Sequence, residues 1–261
     1  MGKVIAIANQ KGGVGKTTTS VNLAASMAAT RRKVLLVDLD PQGNATMASG
    51  VNKYEAERTI YELLVEEQPV RDVIITDTTG GYDLIAANGD ATAAEIRLME
   101  VFARELRLRT ALAPIREEYD YIFIDCPPAL NLLTVNAMSA ADSVLVPMQC
   151  EYFALEGLTA LVDTISKLAA VVNPQLKIEG VLRTMFDHRN RLSNEVSEQL
   201  KQYFGEKVYR TIIPRNVRLA EAPSHGTPVM YYDKTSLGSK AYLGLAGELL
   251  RREEQQQKAE A

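Results

Sequence analysis

VIAIANQKGGVGKTT, residues 4–18, is the stretch from which the rest of the chain is read. Apolar β-formers run from Val4 to Ala8 and stop at Asn9. A loop with Gly12, Gly13 and Gly15 around Val14 ends in Lys16, Thr17 and Thr18, and Val21, Leu23, Ala24, Met27 and Ala28 then recur at helical spacing. Strand, glycine loop, helix is the context of a phosphate-binding loop. Glycines permit positive φ and let backbone N–H groups converge on phosphate oxygens with no Cβ in the way. The helix N-terminus adds partial positive charge at the same place. Lys16 is spaced to reach β- and γ-phosphates, and the Thr17 hydroxyl to ligate Mg²⁺. One departure stands out. The general pattern G-x-x-x-x-G-K-[ST] meets Gln10 where it wants its first glycine, and the loop carries a second lysine, Lys11.

The bulk numbers set limits. At 261 residues the chain has the length of one sizeable domain, read here as residues 1–250 with a polar, frayed tail over 251–261. A hydrophobic share of 46% with 24% charged residues is that of an ordinary globular protein. The net charge of −4 exerts no global pull on nucleic acid, so any DNA contact has to come from a local patch. Cys126 and Cys150 lack CxxC spacing, which offers no zinc or iron–sulfur framework and fits a reduced, cytoplasmic chain. The chain enters its first strand at once, leaving no room for a signal peptide, and no apolar run approaches the ~20 residues of a membrane span. With Ala at position 6, Gly2 is a poor myristoylation candidate.

With these residues in place, KGGVGKTT (11–18) resembles the deviant Walker A motif of the ParA/MinD ATPases. VDLDPQGN (37–44), YIFIDCPPAL (121–130), PMQCEYFALEGL (147–158) and IPRNVRLAEAPSHG (213–226) look like its ParA/Soj branch. The likeness spans roughly residues 2 to 250 and implies a P-loop ATPase that partitions chromosomes or plasmids with a ParB-type partner, using ATP and Mg²⁺.

Along the chain, strands alternate with helices, which predicts an α/β fold with a mostly parallel sheet covered on both faces. A buried-type strand at 34–37 ends at Asp38-Leu39-Asp40, on the edge where open α/β sheets bind ligands. The resemblance places Asp38 and Asp40 in switch I, with Asp40 the acid that positions the attacking water. Residues 45–118 say less: a short helix at 59–66, short strands at 73–75 and 82–85, and a long helical region at 91–118. That region carries an apolar stripe through Ile96, Met99, Phe102, Leu106 and Leu112, with Pro114 breaking it near its end. The strand Tyr121-Ile122-Phe123-Ile124 ends in Asp125, which the resemblance makes the Walker B acid; Thr17, Asp38 and Asp125 are then the metal-side residues. Cys126, beside the phosphates, is expected to be a small inert packing residue.

A helix at 131–140, a strand at 143–147 and an amphipathic helix at 154–172 follow, with Glu151 suggested as touching nucleotide across a subunit interface. A strand at 178–185 opens a basic region: between 181 and 220 eight Arg or Lys face four acids. A mild excess of this kind is usually a solvated surface. The resemblance adds that Arg189 and Arg218 fall where ParA/Soj proteins carry DNA-binding arginines, which implies non-specific, salt-sensitive contact with double-stranded DNA. It also implies that Pro214, Arg215 and Asn216 hold the adenine. A final helix is expected over 236–250.

Lys11 carries the mechanistic expectation. In the resembling family such a lysine reaches the partner's nucleotide, which implies an ATP-dependent homodimer that holds the nucleoid and is released by partner-stimulated hydrolysis. Two other classes stand beside it. A membrane-cycling MinD-like ATPase should end in a basic amphipathic helix, and this tail lacks the apolar face. A nitrogenase-iron-protein-like carrier needs cluster cysteines, and Cys126 and Cys150 are placed otherwise.

Overall fold

A computed structural model describes residues 2–76 and 78–260, the last two by backbone alone. The apolar run that opens the chain forms β1 (Lys3–Ile7), and the glycine loop delivers it into α1 (Lys16–Ala29). β2 (Val34–Asp38) and α2 (Asn44–Ala48) follow. Next come α3 (Ile60–Leu64), α4 (Val70–Val73), β3 (Ile74–Ile75), β4 (Asp83–Ile85), α5 (Asp90–Leu98) and α6 (Arg107–Leu112). The second half is β5 (Tyr121–Asp125), α7 (Leu132–Ala140), β6 (Ser143–Gln149), α8 (Ala154–Val171), β7 (Lys177–Phe186), α9 (Arg191–Phe204), β8 (Val208–Pro214), α10 (Val217–Glu221), α11 (Val229–Tyr232) and α12 (Leu237–Glu260).

The strands make one sheet in the order β3-β4-β2-β5-β1-β6-β7-β8, parallel throughout except where β3 meets β4. Successive side chains of a strand point to opposite faces, so the continuous apolar run of β1 splits between two cores. Val4 and Ala6 join Leu35, Val37, Ile122, Ile124 and Val144 under α7 and α8. Ile5 and Ile7 join Leu36, Phe123 and Leu145 under α1 and α12. The strand order reverses beside β1, since the chain leaves it toward β2 and later returns to β6 on its other side. That reversal opens the crevice in which α/β sheets take ligands, and the glycine loop lies there.

Three expectations change. The long helix over 91–118 is broken: α5 stops at Leu98, Ala103 adopts a left-handed φ of 52°, and α6 starts afresh at Arg107. The face that α5 buries is small, Ala91, Ala94 and Leu98, so Ile96, Met99 and Phe102 point outward instead of forming a core stripe, Phe102 being 96% exposed. Asn136 fixes the break, donating to the Arg104 carbonyl and accepting from Leu108 N–H. Pro114 does act as a stop, since α6 gives way to a 3₁₀ turn over Ala113–Glu118. In the basic region the sequence reading missed both α9 and β8.

The final helix continues to Glu260, ten residues beyond the expected end, so the segment read as frayed is helical through the described residues; Ala261 lies outside them. The cause is an edge strand that needs covering. β8 ends the sheet, and its outward amides at Arg210 and Thr211 both donate to the Glu248 carboxylate at 2.8 Å. Arg252, paired with Glu248 at 2.8 Å, donates to the Val208 carbonyl at 2.9 Å. One residue on, Glu253 takes the Lys3 ammonium and the Tyr121 hydroxyl. α12 thus replaces a missing neighbour strand with side chains.

Glu248 is buried, which raises a carboxyl pKa, yet the donors from Thr211, Arg210 and Arg252 prevail and hold it below the ordinary glutamate range. Its contribution to stability is therefore full above that range and is lost as pH falls through the lowered value. Glu248→Gln is expected to cost about 1–3 kcal/mol at neutral pH, at about 2–4 °C of melting temperature per kcal/mol for a chain of this size. Thermal melts from neutral pH into acid should show the gap to wild type closing.

Candidate functional site

The C-terminal ends of β1, β2 and β5 converge on one edge. Asp38 and Asp125 close β2 and β5 as register partners, and Ile7, which closes β1, is Asp125's partner on the other side. The chain runs from the end of β1 directly into the glycine loop, so loop and carboxylates must face the same space. Gly13 and Gly15 take φ of 72° and 88°, which only glycine adopts without strain. A Cβ on Gly12 or Gly13 would meet nothing within 4 Å, so these glycines border open space. α1 starts there with no side-chain cap and no acid in its first turn. Its leading amides are therefore unclaimed by side chains, the arrangement that binds anions.

Both carboxylates are fully buried. Asp38 accepts from the Thr46 amide at 2.9 Å and its hydroxyl at 2.8 Å through Oδ2, and from Asp40 N–H at 3.1 Å through Oδ1. Burial first and the Asp125 charge second push its pKa well above the usual carboxylate range. Asp125 is raised as well, by burial, against the Ser20 hydroxyl that donates to Oδ1 at 2.8 Å. Asp125 Oδ2 is buried with no partner among the described residues. Burial lowers the Lys16 pKa against the pull of Asp125, Cys126 and Asp40, and its ammonium donates to the Lys11 carbonyl at 3.2 Å. Two buried acids and an oxygen without a donor make a cavity edge whose chemistry suits a cation.

Asp40 is half-buried beyond the strand end. One oxygen accepts from Gln42 N–H at 3.0 Å; the other accepts no hydrogen bond among the described residues. Thr17 and Thr18 lie in the first turn of α1, half-buried. Cys126 is buried and its thiol is pushed far up by burial, so no nucleophilic thiolate forms there.

Further along the sheet, β8 delivers Pro214 to the same edge, with Arg215 exposed and Asn216 opening α10. Asn216 makes no cap bond, and its Oδ1 is buried without a partner among the described residues.

This geometry sits in a chain with clear relatives. A family model described as an AAA domain matches residues 2–178. The sporulation initiation inhibitor protein Soj of Bacillus subtilis is 53% identical over 95% of this chain and 98% of its own length. The chromosome partitioning protein ParA of Caulobacter vibrioides is 51% identical, covering 98% and 96%. The chain belongs to the ParA/Soj family. A solved Mycobacterium smegmatis structure, described as cobyrinic acid a,c-diamide synthase with bound ADP and magnesium, superposes with a TM-score of 0.85 at 36% identity, covering 97% and 96%. The cell division ATPase MinD of Pyrococcus furiosus gives 0.79 at 26%, covering 96% and 99%. These neighbours share the P-loop α/β architecture described above.

Against the expectations for a ParA/Soj protein, Lys11 through Thr18, Asp38, Asp40 and Asp125 gather at the β1–β2–β5 edge, and Pro214–Asn216 lies further along the same edge. Arg189 and Arg218 follow the ends of β7 and β8 on that edge too. Arg189 is 89% exposed, its Nε and one terminal nitrogen both on the Asp187 carboxylate, and Arg218 pairs with Glu221 at 2.7 Å and Asp233 at 3.4 Å. Arg183, counted in the basic stretch, is not surface charge: it is buried, donating to Ser197 Oγ and to the Tyr209 carbonyl. Glu151 meets Lys11 of its own chain, at 2.5 Å.

The sequence reading missed the residues that hold the loop from outside. Asn9 Nδ2 donates to the Pro147 carbonyl at 2.8 Å, Gln149 Nε2 to Gly13 O at 3.3 Å, and the Thr184 hydroxyl to Val14 O at 2.7 Å. Polar residues at the ends of otherwise apolar strands were the available signal. Thr184→Val keeps the shape and removes one of these bonds. It is expected to cost about 0.5–1.5 kcal/mol of stability, at about 2–4 °C of melting temperature per kcal/mol, read by thermal melts.

Proposed function

We propose that this chain is an ATP-driven DNA-partitioning switch of the ParA/Soj type. The carrying observation is the pair of lysines on one glycine loop: Lys16 turned into its own pocket and Lys11 on the outer side, its ammonium directed away from that pocket to Glu151. The residues fit Mg²⁺ and ATP. The unpartnered Asp125 Oδ2 and the raised pKa of both acids suit a divalent cation, the open side of Gly12 and Gly13 gives room for phosphates, and the orphaned Asn216 Oδ1 suits the amino group of adenine. Thr17, Asp38 and Asp125 would hold Mg²⁺, which neutralises charge on the phosphate oxygens. Lys16 and the amides of Gly12 to Thr18 bind the triphosphate, and Pro214, Arg215 and Asn216 the base. Asp40 orients water through its unengaged oxygen; attack on the γ-phosphorus yields ADP and phosphate.

Lys11 is the residue of dimer assembly. With ATP on both protomers, each Lys11 adds a charge-assisted contact to the other's phosphates, so the triphosphate favours the pair more than the diphosphate does. The face concerned carries Tyr152 and Phe153 directly after Glu151, edge to face at 5.0 Å and 74% and 70% exposed, as suits a surface that a second protomer covers. Arg189 and Arg218 from both protomers then hold double-stranded DNA without reading sequence. Their ties to Asp187, Glu221 and Asp233 must be exchanged for phosphates, which makes the grip weak per protomer and dependent on the dimer. A ParB-type protein would stimulate hydrolysis and release, with the protein on the nucleoid while it holds ATP.

The test is DNA retention with ATP, ADP and no nucleotide on wild type, Arg189→Ala and Arg218→Ala. Retention should need ATP, and each variant should lower the slope of log K against log salt by about one for every phosphate it no longer neutralises. Equal retention in all three nucleotide states would end this reading. A second measurement concerns the metal. Because Asp38 and Asp125 are both raised, protons compete with Mg²⁺, so the Mg²⁺ concentration giving half-maximal ATPase should fall as pH is raised from about 6 toward about 8. A flat profile would remove the two acids as the metal's holders.

A further inference from the structure

Lys11 is occupied at every polar group it has. Its N–H donates to Asn9 Oδ1 at 2.9 Å, its carbonyl accepts from Lys16 Nζ at 3.2 Å, and its ammonium pairs with Glu151 Oε2 at 2.5 Å. The first two bonds shape the loop. The third does not, because it ties down only the tip of a long side chain.

Its origin is the strand beside β1. Pro147, Gln149 and Glu151 stand at alternate positions of β6 and its continuation, and each meets the glycine loop: Pro147 through Asn9, Gln149 at Gly13, Glu151 at Lys11. Glu151 is then fixed by a turn, its N–H donating to Gln149 O and its carbonyl accepting from Ala154 N, both at 3.0 Å, at the start of α8. The carboxylate is thus carried on a rigid support and not on a free loop.

We propose that Glu151 is a cis latch, a positioning residue that parks Lys11 against its own protomer until a facing nucleotide displaces it. The proposal rests on the dimer described above and adds a brake to it. The two side chains are 49% and 51% exposed, so solvent screens the pair and it biases Lys11 by only about 1.4- to 5-fold. A dimer must open two latches. The factors multiply, and assembly is held back by about 2- to 25-fold. A bias of that size suits a threshold: a triphosphate with several charges overcomes it, whereas chance encounters of unloaded protomers do not.

The test uses the full chain as wild type, Glu151→Gln and Glu151→Asp. Sedimentation equilibrium with Mg²⁺ and ATPγS should show Glu151→Gln dimerising about 2- to 25-fold more tightly than wild type, with Glu151→Asp, which keeps the charge, nearer wild type. The difference should narrow as salt is raised. In the nucleotide-free protein, acetylation of Lys11 by an N-hydroxysuccinimide ester should be faster in Glu151→Gln and unchanged at other lysines, a readout that a merely structural role would not move. Fluorescent ADP binding serves as a control for an intact pocket. Dimerisation of Glu151→Gln no tighter than wild type overturns the latch, and weaker dimerisation assigns Glu151 to a contact across the interface. If wild type itself fails to dimerise, the proposed function is at fault, and equal acetylation of Lys11 in wild type and Glu151→Gln overturns the latch on its own.

Discussion

Two carboxylates buried side by side are the constraint around which this molecule is arranged. Asp38 and Asp125 end adjacent parallel strands in register, so their separation is set by the sheet and no rotamer can part them widely. Neither reaches solvent. In an interior of low dielectric such a pair is strongly unfavourable when both are charged. The protein offsets part of this with donors from Thr46 and Ser20. Lys16, the cation it places nearby, is itself disfavoured by burial. A divalent ion would offset the charge of the two acids, and anionic oxygens beside Lys16 would offset the burial of its ammonium, which is why this edge of the sheet reads as a site built for a cation and an anion together.

The loop beside these acids is stabilised from behind. Its own geometry needs two left-handed glycines, and its support comes from Asn9, Gln149 and Thr184, which bond carbonyls and backbone on the side away from the cavity. The N–H groups on the cavity side are not used for internal bonding by any side-chain cap. A loop stiffened through its carbonyls and the Lys11 amide, with the leading amides of α1 left uncapped, is preorganised for an anion, and little ordering remains to oppose binding.

How much of this the sequence showed depends on range. The glycine loop, β1, β2, β5 and the acids at their ends were legible because each is a local pattern, an apolar run bounded by a residue whose chemistry has few other uses. The segment 91–118 misled because Ile96, Met99 and Phe102 fall at helical spacing, whereas the interior accepts only Ala91, Ala94 and Leu98 from that helix. Spacing shows which residues share a face; which face lies inward is decided by neighbours distant in sequence. The tail misled for a similar reason, since nothing within residues 251–260 announces that a distant edge strand needs Arg252 and that Lys3 needs Glu253. Arg183 belongs in the same group: counted as surface charge, it is spent inside on carbonyls of β8. For the basic stretch as a whole, a tally of charges could not show that its two chosen arginines each carry an acid at hand.

β7 brings the separate parts of the edge within reach of one another. Thr184 holds the glycine loop through Val14, Met185 takes a left-handed φ of 47°, Phe186 pairs with Pro214 in register, and Asp187 carries Arg189. Four consecutive residues thus touch the phosphate loop, the start of the loop assigned to the base, and the cation assigned to DNA. A non-glycine residue in that conformation is strained, and it persists only where its surroundings over-determine it. Here the surroundings are the phosphate loop on one side and β8 on the other, so a shift in either bears directly on the turn that aims Arg189. The residues proposed for nucleotide and those proposed for DNA are then separated by a few residues of one strand, and no long chain of coupled contacts is required to link them.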